Sequence, residues 1–149
     1  MAEVVVQHAW LGTVRPHGED RLLASIEIDP AVRPARMHGQ TDAEVLITAE
    51  RGLSGPALGT VLDTSAERIR AALADLDRIK AFALVHAPGG WRRHYEAVEG
   101  PSLEERLFLE SFAVVSPVEM EVDFDFGDLD MLVVRLDARG CGRDVRIVA

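Results

Sequence analysis

Residues 53–76 read LSGPALGTVLDTSAERIRAALADL, and the reading of this stretch decides which fold the chain is expected to adopt. Ser54 followed by Pro56 marks a helix start, because proline is tolerated in a first turn whose amides have no intrahelical partner. That helix is expected to end near Leu62. A second is expected from Ser65 to about Lys80, with Ile69, Ala72, Leu73, Leu76 and Ile79 recurring at a period near 3.6 to form one apolar stripe. Arg68, Arg70, Asp75 and Arg78 fall largely outside the stripe.

Working outward, three segments carry a hydroxyl followed three residues later by glutamate: Thr41 with Glu44, Thr64 with Glu67, and Ser102 with Glu105. In a capping box the hydroxyl accepts from the third helical amide and the glutamate reaches back to the cap amide, so each pair predicts a helix start. Downstream of residue 80, Phe82–His86 and Trp91–Val98 are strand-like runs joined by Ala87, Pro88, Gly89 and Gly90, a composition that predicts a hairpin. Helix, helix, helix, hairpin is the order of a winged helix.

The pattern Leu53, Ser54, Leu58, Gly59, Leu62, Asp63, Ser65, Ile69, Leu73, Leu76 resembles the helix-turn-helix of bacterial regulators of the MarR and ArsR families. In those families a small residue stands where Gly59 does, so that the helices can touch, and a branched residue stands where Ile69 does. The run Gly90, Trp91, Arg92, Arg93, His94, Tyr95 is similar to their wing. Asp63 occupies a turn position that is usually glycine. The resemblance spans about residues 41–99 and implies a DNA-binding transcriptional regulator acting as a homodimer. Arg68 and Arg70 would approach the major groove or its phosphates, and Arg92, Arg93 and His94 would contact backbone or minor groove from the wing. Winged helices also serve as protein- or peptide-binding modules, for instance as a subunit of a larger assembly. The overall acidity and the few base-reading side chains at the helix start (Ala66, Glu67, Arg70) motivate that alternative.

On the N-terminal side, Val4–Trp10 and Leu22–Ile28 are β-branched and apolar, with a turn-forming stretch from Arg15 to Asp20, which predicts a β-hairpin; Asp29–Gln40, with Pro30 and Pro34, is an expected connector. On the C-terminal side an amphipathic helix is expected over Ser102–Phe112. Val118–Phe126 then alternates, with acidic residues on one face, and Met131–Leu136 and Val145–Val148 are expected as further strands. The expected fold class is α+β: a winged helix-turn-helix core over 41–99, an N-terminal β-hairpin and connector over 1–40, and a C-terminal helix with a small antiparallel sheet over 100–149.

Charge bounds the partners. The chain of 149 residues carries a net −9, and residues 100–149 hold eleven acidic against five basic side chains, a local balance of −6. Nucleic-acid binders usually gather a basic stripe, so DNA recognition requires the arginines to share one surface. No apolar run reaches the eighteen or so residues of a membrane span, and the start of the sequence lacks the pattern of a secretory signal, so no membrane partner and a cytoplasmic protein are expected. Cys141 is the single cysteine and the five histidines are scattered, which gives no metal set and no cofactor motif. Asp123, Asp125, Asp128 and Asp130 depart from the spacing of a calcium loop. No catalytic residues are expected, because no nucleophile stands beside a base in the sequence pattern.

Overall fold

The structure is a computed structural model describing residues 5–28, 42–50, 52–96, 103–125 and 131–148. Alternation of apolar and polar residues builds its first half. The strands β1 (Val6–His8) and β2 (Gly12–Pro16) pair antiparallel, Val6 opposite Val14, and β3 (Arg21–Glu27) runs back along β2. β4 (Asp42–Thr48) then pairs with β3 over its whole length, from Arg21 opposite Thr48 to Glu27 opposite Asp42. Ala43, Val45 and Ile47 are fully buried while Asp42, Glu44 and Thr48 are exposed, the period of two that a half-covered strand requires.

Helices follow: α1 (Gly55–Ala74), α2 (Leu76–His86), α3 (Gly89–Glu96) and the short α4 (Leu103–Arg106). The chain then forms β5 (Phe108–Ser116), β6 (Glu119–Asp125), β7 (Met131–Leu136) and β8 (Gly142–Val148), and these four pair antiparallel in succession. All eight strands make one sheet in sequence order, and the two antiparallel meanders join through one parallel pair, β4 with β5, in register from Glu44/Ser111 to Ile47/Val114. Parallel neighbours need a crossover connection, which the helices supply.

The helices cover one face. Gly142 pairs with Leu136, and a Cβ placed on Gly142 would lie 2.5 Å from the Phe82 ring of α2, so the face bearing Leu136 is the one under α2. That face is the core: Val45, Ile47, Phe112, Val122, Phe124, Leu132 and Val134 meet Leu62, Ile69, Leu76 and Ile79 from the helices. The opposite face is more polar. One row across it runs Arg15, Leu23, Leu46, Ala113, Glu121, Arg135, Asp144, and the next runs Ser25, Glu44, Ser111, Asp123, Val133, Arg146. Arg135 bridges Glu119 and Asp144 there, and Arg146 pairs with Glu121 at 3.0 Å.

Among the described residues, the stretch 41–99 contains neither a helix-turn-helix nor a wing, which corrects the expected fold class. Asp42–Thr48 is a central strand, because its β-branched Val45 and Ile47 gain more from burial between β3 and β5 than a capping pair could supply; Thr41 itself lies outside the described residues. Residues 55–74 form one uninterrupted helix. Asp63, Thr64 and Ser65 lie inside it, since nothing there breaks a helix and Leu62, Ala66 and Ile69 continue one buried stripe. The break falls at Asp75, whose amide points to the carbonyls of Ala71 and Ala72 at 3.1 Å.

Phe82–His86 continues α2 as helix, with Ile79 and Ala83 buried one turn apart. Pro88 starts α3 instead of turning a hairpin: its carbonyl accepts from Trp91 N at 3.0 Å, and Trp91 is buried in the core. Ser102 lies outside the described residues, and the helix expected over 102–112 stops after Arg106, giving way to β5. The C-terminal strands belong to the same eight-stranded sheet as the N-terminal ones and do not form a separate small sheet.

Candidate binding cavity

β1, β2 and β3 curve against the segment that leads from β4 into α1, and a cavity of about 370 Å3 lies between them. Its walls are apolar: Val6, Val14 and Leu22 from the strands, Leu53 and Leu58 from the helix side. Glu19, Arg21 and Glu50 stand at its margin and are exposed. The volume is near the low end of the ~300–1,000 Å3 typical of ligand pockets, and apolar walls with a few charged groups are their usual chemistry.

Backbone hydrogen bonds hold the walls. His17 N donates to Arg21 O at 2.8 Å and closes the β2–β3 connection, and Ala49 N donates to Asp20 O at 2.9 Å, tying that connection to the end of β4. Leu53 N donates to Glu50 O at 3.2 Å, and Gly52 between them has φ +81°, a left-handed conformation that a side chain would strain. This turn directs Leu53 into the cavity. Across the β1–β2 hairpin, His8 Nδ1 accepts from the amides of Trp10 and Leu11 at 3.1 Å, which leaves Nε2 to donate to Asp63 Oδ1 of α1 at 2.8 Å. Asp63 therefore pins the hairpin to α1.

The arginines singled out in the sequence take other places. Arg68 on α1 is half-buried and donates through Nη1 to Ser116 O at 2.7 Å, joining the helix to the end of β5. Arg70 is exposed on the same helix, its guanidinium 5.9 Å from the centre of the Trp10 ring, within the range of a cation–π contact. Arg92 and Arg93 are on α3, both exposed, and Arg92 Nη1 donates to Leu84 O at 3.1 Å. His94 belongs to α3, and its side chain lies outside the described residues. Arg68 and Arg92 are thus each engaged with a backbone carbonyl of the chain, and no wing brings Arg92 and Arg93 forward.

Asp123 and Asp125 lie on β6, while Asp128 and Asp130 fall outside the described residues. Among the described residues no group of three or more histidine, cysteine, aspartate or glutamate side chains could hold a metal ion, and no helix is long and apolar enough to cross a membrane. Cys141 is exposed in the β7–β8 turn. The cavity itself was invisible to a sequence reading, because its walls come from separate segments and each of those residues reads locally as core. Leu53, read as the opening of a helix-turn-helix, is instead a cavity wall. No protein-family model, curated protein or solved structure matches the chain.

Proposed function

We propose that the chain is a protein-interaction module that takes a short peptide segment of a partner. An apolar side chain of that segment sits in the cavity between β1–β3 and the start of α1, and a basic neighbour lies against Glu19 and Glu50 at its margin. The observation that carries this reading is the cavity itself, apolar within and charged at its edge. Among the described residues its walls carry no serine, threonine, cysteine, histidine or lysine, so a chemistry of binding fits them better than one of nucleophilic attack. The net charge of −9 draws a basic partner and raises its rate of encounter. The DNA-binding reading loses the helix-turn-helix and wing that motivated it.

The test is selection of peptides from a random phage-displayed library on the intact chain, followed by calorimetric titration of the selected peptides. A consensus pairing a large apolar residue with a nearby Lys or Arg is expected. Leu58→Glu should weaken binding by about tenfold or more, equivalent to ~1.4 kcal/mol, with the circular dichroism of the fold retained. Glu50→Lys should weaken it too, and more at low salt than at high salt. Failure to enrich any peptide, or unchanged affinity in both variants, would overturn the proposal.

A further inference from the structure

An open sheet leaves a row of unpaired backbone groups at each end, and proteins guard such rows because another strand can add to them. The two ends of this sheet are unequal. β1 is three residues long, which blunts its margin, whereas β8 runs for seven residues, Gly142–Val148, and no strand lies outside it among the described residues. Proline and lysine, frequent guards of an edge, are absent from β8, and Val148 is exposed. Arg143 is the extra residue where the register with β7 shifts, so the regular ladder runs from Asp144 to Val148.

The charges on this strand complement their own copy. Asp144 and Arg146 lie on the polar face, where Asp144 pairs with Arg135 of β7 and Arg146 with Glu121 of β6. Val145 stands between them opposite Val134 and packs against the core on the helix-covered face. Successive side chains alternate between faces. In an antiparallel pair of two β8 strands related by a two-fold axis through the sheet, only residues of the same face can therefore stand opposite one another. Few registers remain. Centred on Asp144, the pairing sets carboxylate against carboxylate, and centred on Arg146 it sets guanidinium against guanidinium, both destabilising. Centred on Val145, it sets Val145 against its own copy and each Asp144 against Arg146 of the other chain. Two opposite-charge pairs then form together, because a two-fold interface repeats every contact.

We propose that β8 pairs with β8 of a second copy of this chain, antiparallel about Val145, so that the two sheets become one continuous sheet. Main-chain hydrogen bonds supply the attachment and the Asp144–Arg146 pairs fix the register, the division of labour seen when one strand adds to another's edge. The ion pairs already on each chain run into the new ones: Glu121 with Arg146, then Asp144 and Arg135 of the second copy. The peptide cavity lies among β1–β3, at the other end of the strand order, and the inference does not depend on it.

Sedimentation equilibrium of the full chain, from low to high micromolar concentration near neutral pH, tests the pairing. The average mass should climb from that of one 16.3 kDa chain to that of two and stop there, since a two-fold interface is closed. Asp144→Arg and Arg146→Asp each set like charges opposite one another, and each should weaken dimerisation by about tenfold or more. Mixed in equal amounts, the two variants present opposite charges to each other at both positions and should dimerise together. Leu58→Glu should dimerise as the unaltered chain does. If a charge variant fails to fold, amide hydrogen exchange of the unaltered chain decides, with protection across Gly142–Val148 expected to rise with concentration. A single-chain mass at every concentration, which would leave this edge to a strand of another protein, would overturn the proposal. So would folded variants that dimerise as tightly as the unaltered chain, a mixture that stays monomeric, or protection of β8 that does not depend on concentration.

Discussion

A single carboxylate on the polar face of the sheet shows how burial writes a pH dependence into the molecule. Asp123, in the middle of β6, accepts a hydrogen bond from Ser111 Oγ on β5 at 2.7 Å through one oxygen, while the other is buried without a donor. Burial is the main cause that raises its pKa, with Glu121 and Glu110 adding to the rise and Ser111 and Arg146 opposing it. The folded chain therefore holds this proton more tightly than the unfolded chain. By linkage, stability falls as pH climbs from the ordinary aspartate range, about 4, through the raised folded value, and it is not recovered above that. Asp123→Asn keeps the acceptor for Ser111 and discards the charge. It should raise stability near neutral pH by ~1 kcal/mol and flatten this part of the profile. Urea unfolding at a series of pH values measures it, and a variant that parallels the unaltered chain throughout would count against the assignment.

At the scale of elements, β8 and α2 approach closely at Gly142. Phe82 lies so close over Gly142 that any Cβ there would strike its ring at Cδ1, and the same ring rests 4.2 Å from that of His86. Gly142→Ala should therefore cost ~1–3 kcal/mol by forcing α2 away from the strand, read as a lower urea midpoint with m unchanged. Which elements the sequence made legible follows from their local periods. β6 alternates cleanly, and β3, β6 and β7 fall within one residue of the stretches read as strands. β5 does not, because a bulge between Leu109 and Ser111 puts two residues between the buried Leu109 and Phe112 where a regular strand has one. That spacing imitates a helix. β4 was hidden by the Thr41 and Glu44 pair, although its own Val45, Ile47 and Thr48 are β-branched. Trp91–Glu96 reads as a strand by composition, yet it is helical because Pro88 opens a helical turn and buries Trp91 under the core. In each case a tertiary gain overrode a local signal. The cavity was less legible still, since no local pattern encodes a space between segments distant in sequence.

For the whole molecule the decisive feature is that two antiparallel meanders meet along one parallel pair. β1–β4 could be assembled from near neighbours, as could β5–β8, but β4 and β5 are joined only after the helices between them are laid across the face. Until then β4 presents a full edge of unpaired backbone beside the fully buried Val45 and Ile47. A chain ending at residue 107 should therefore self-associate, seen as faster sedimentation and light scattering at micromolar concentration, while the full chain under the same conditions stays monodisperse; a monomeric truncated chain would show that β4 needs no partner. Biosynthesis meets this same interval. Phe108 is synthesised sixty residues after Thr48, and at ~5–20 residues per second the ribosome takes about 3–12 s to reach it. For that time the emerging polypeptide carries an adhesive margin that only its own later translation can sheathe, so the pace of elongation through the helical stretch sets how long a chaperone must stand guard.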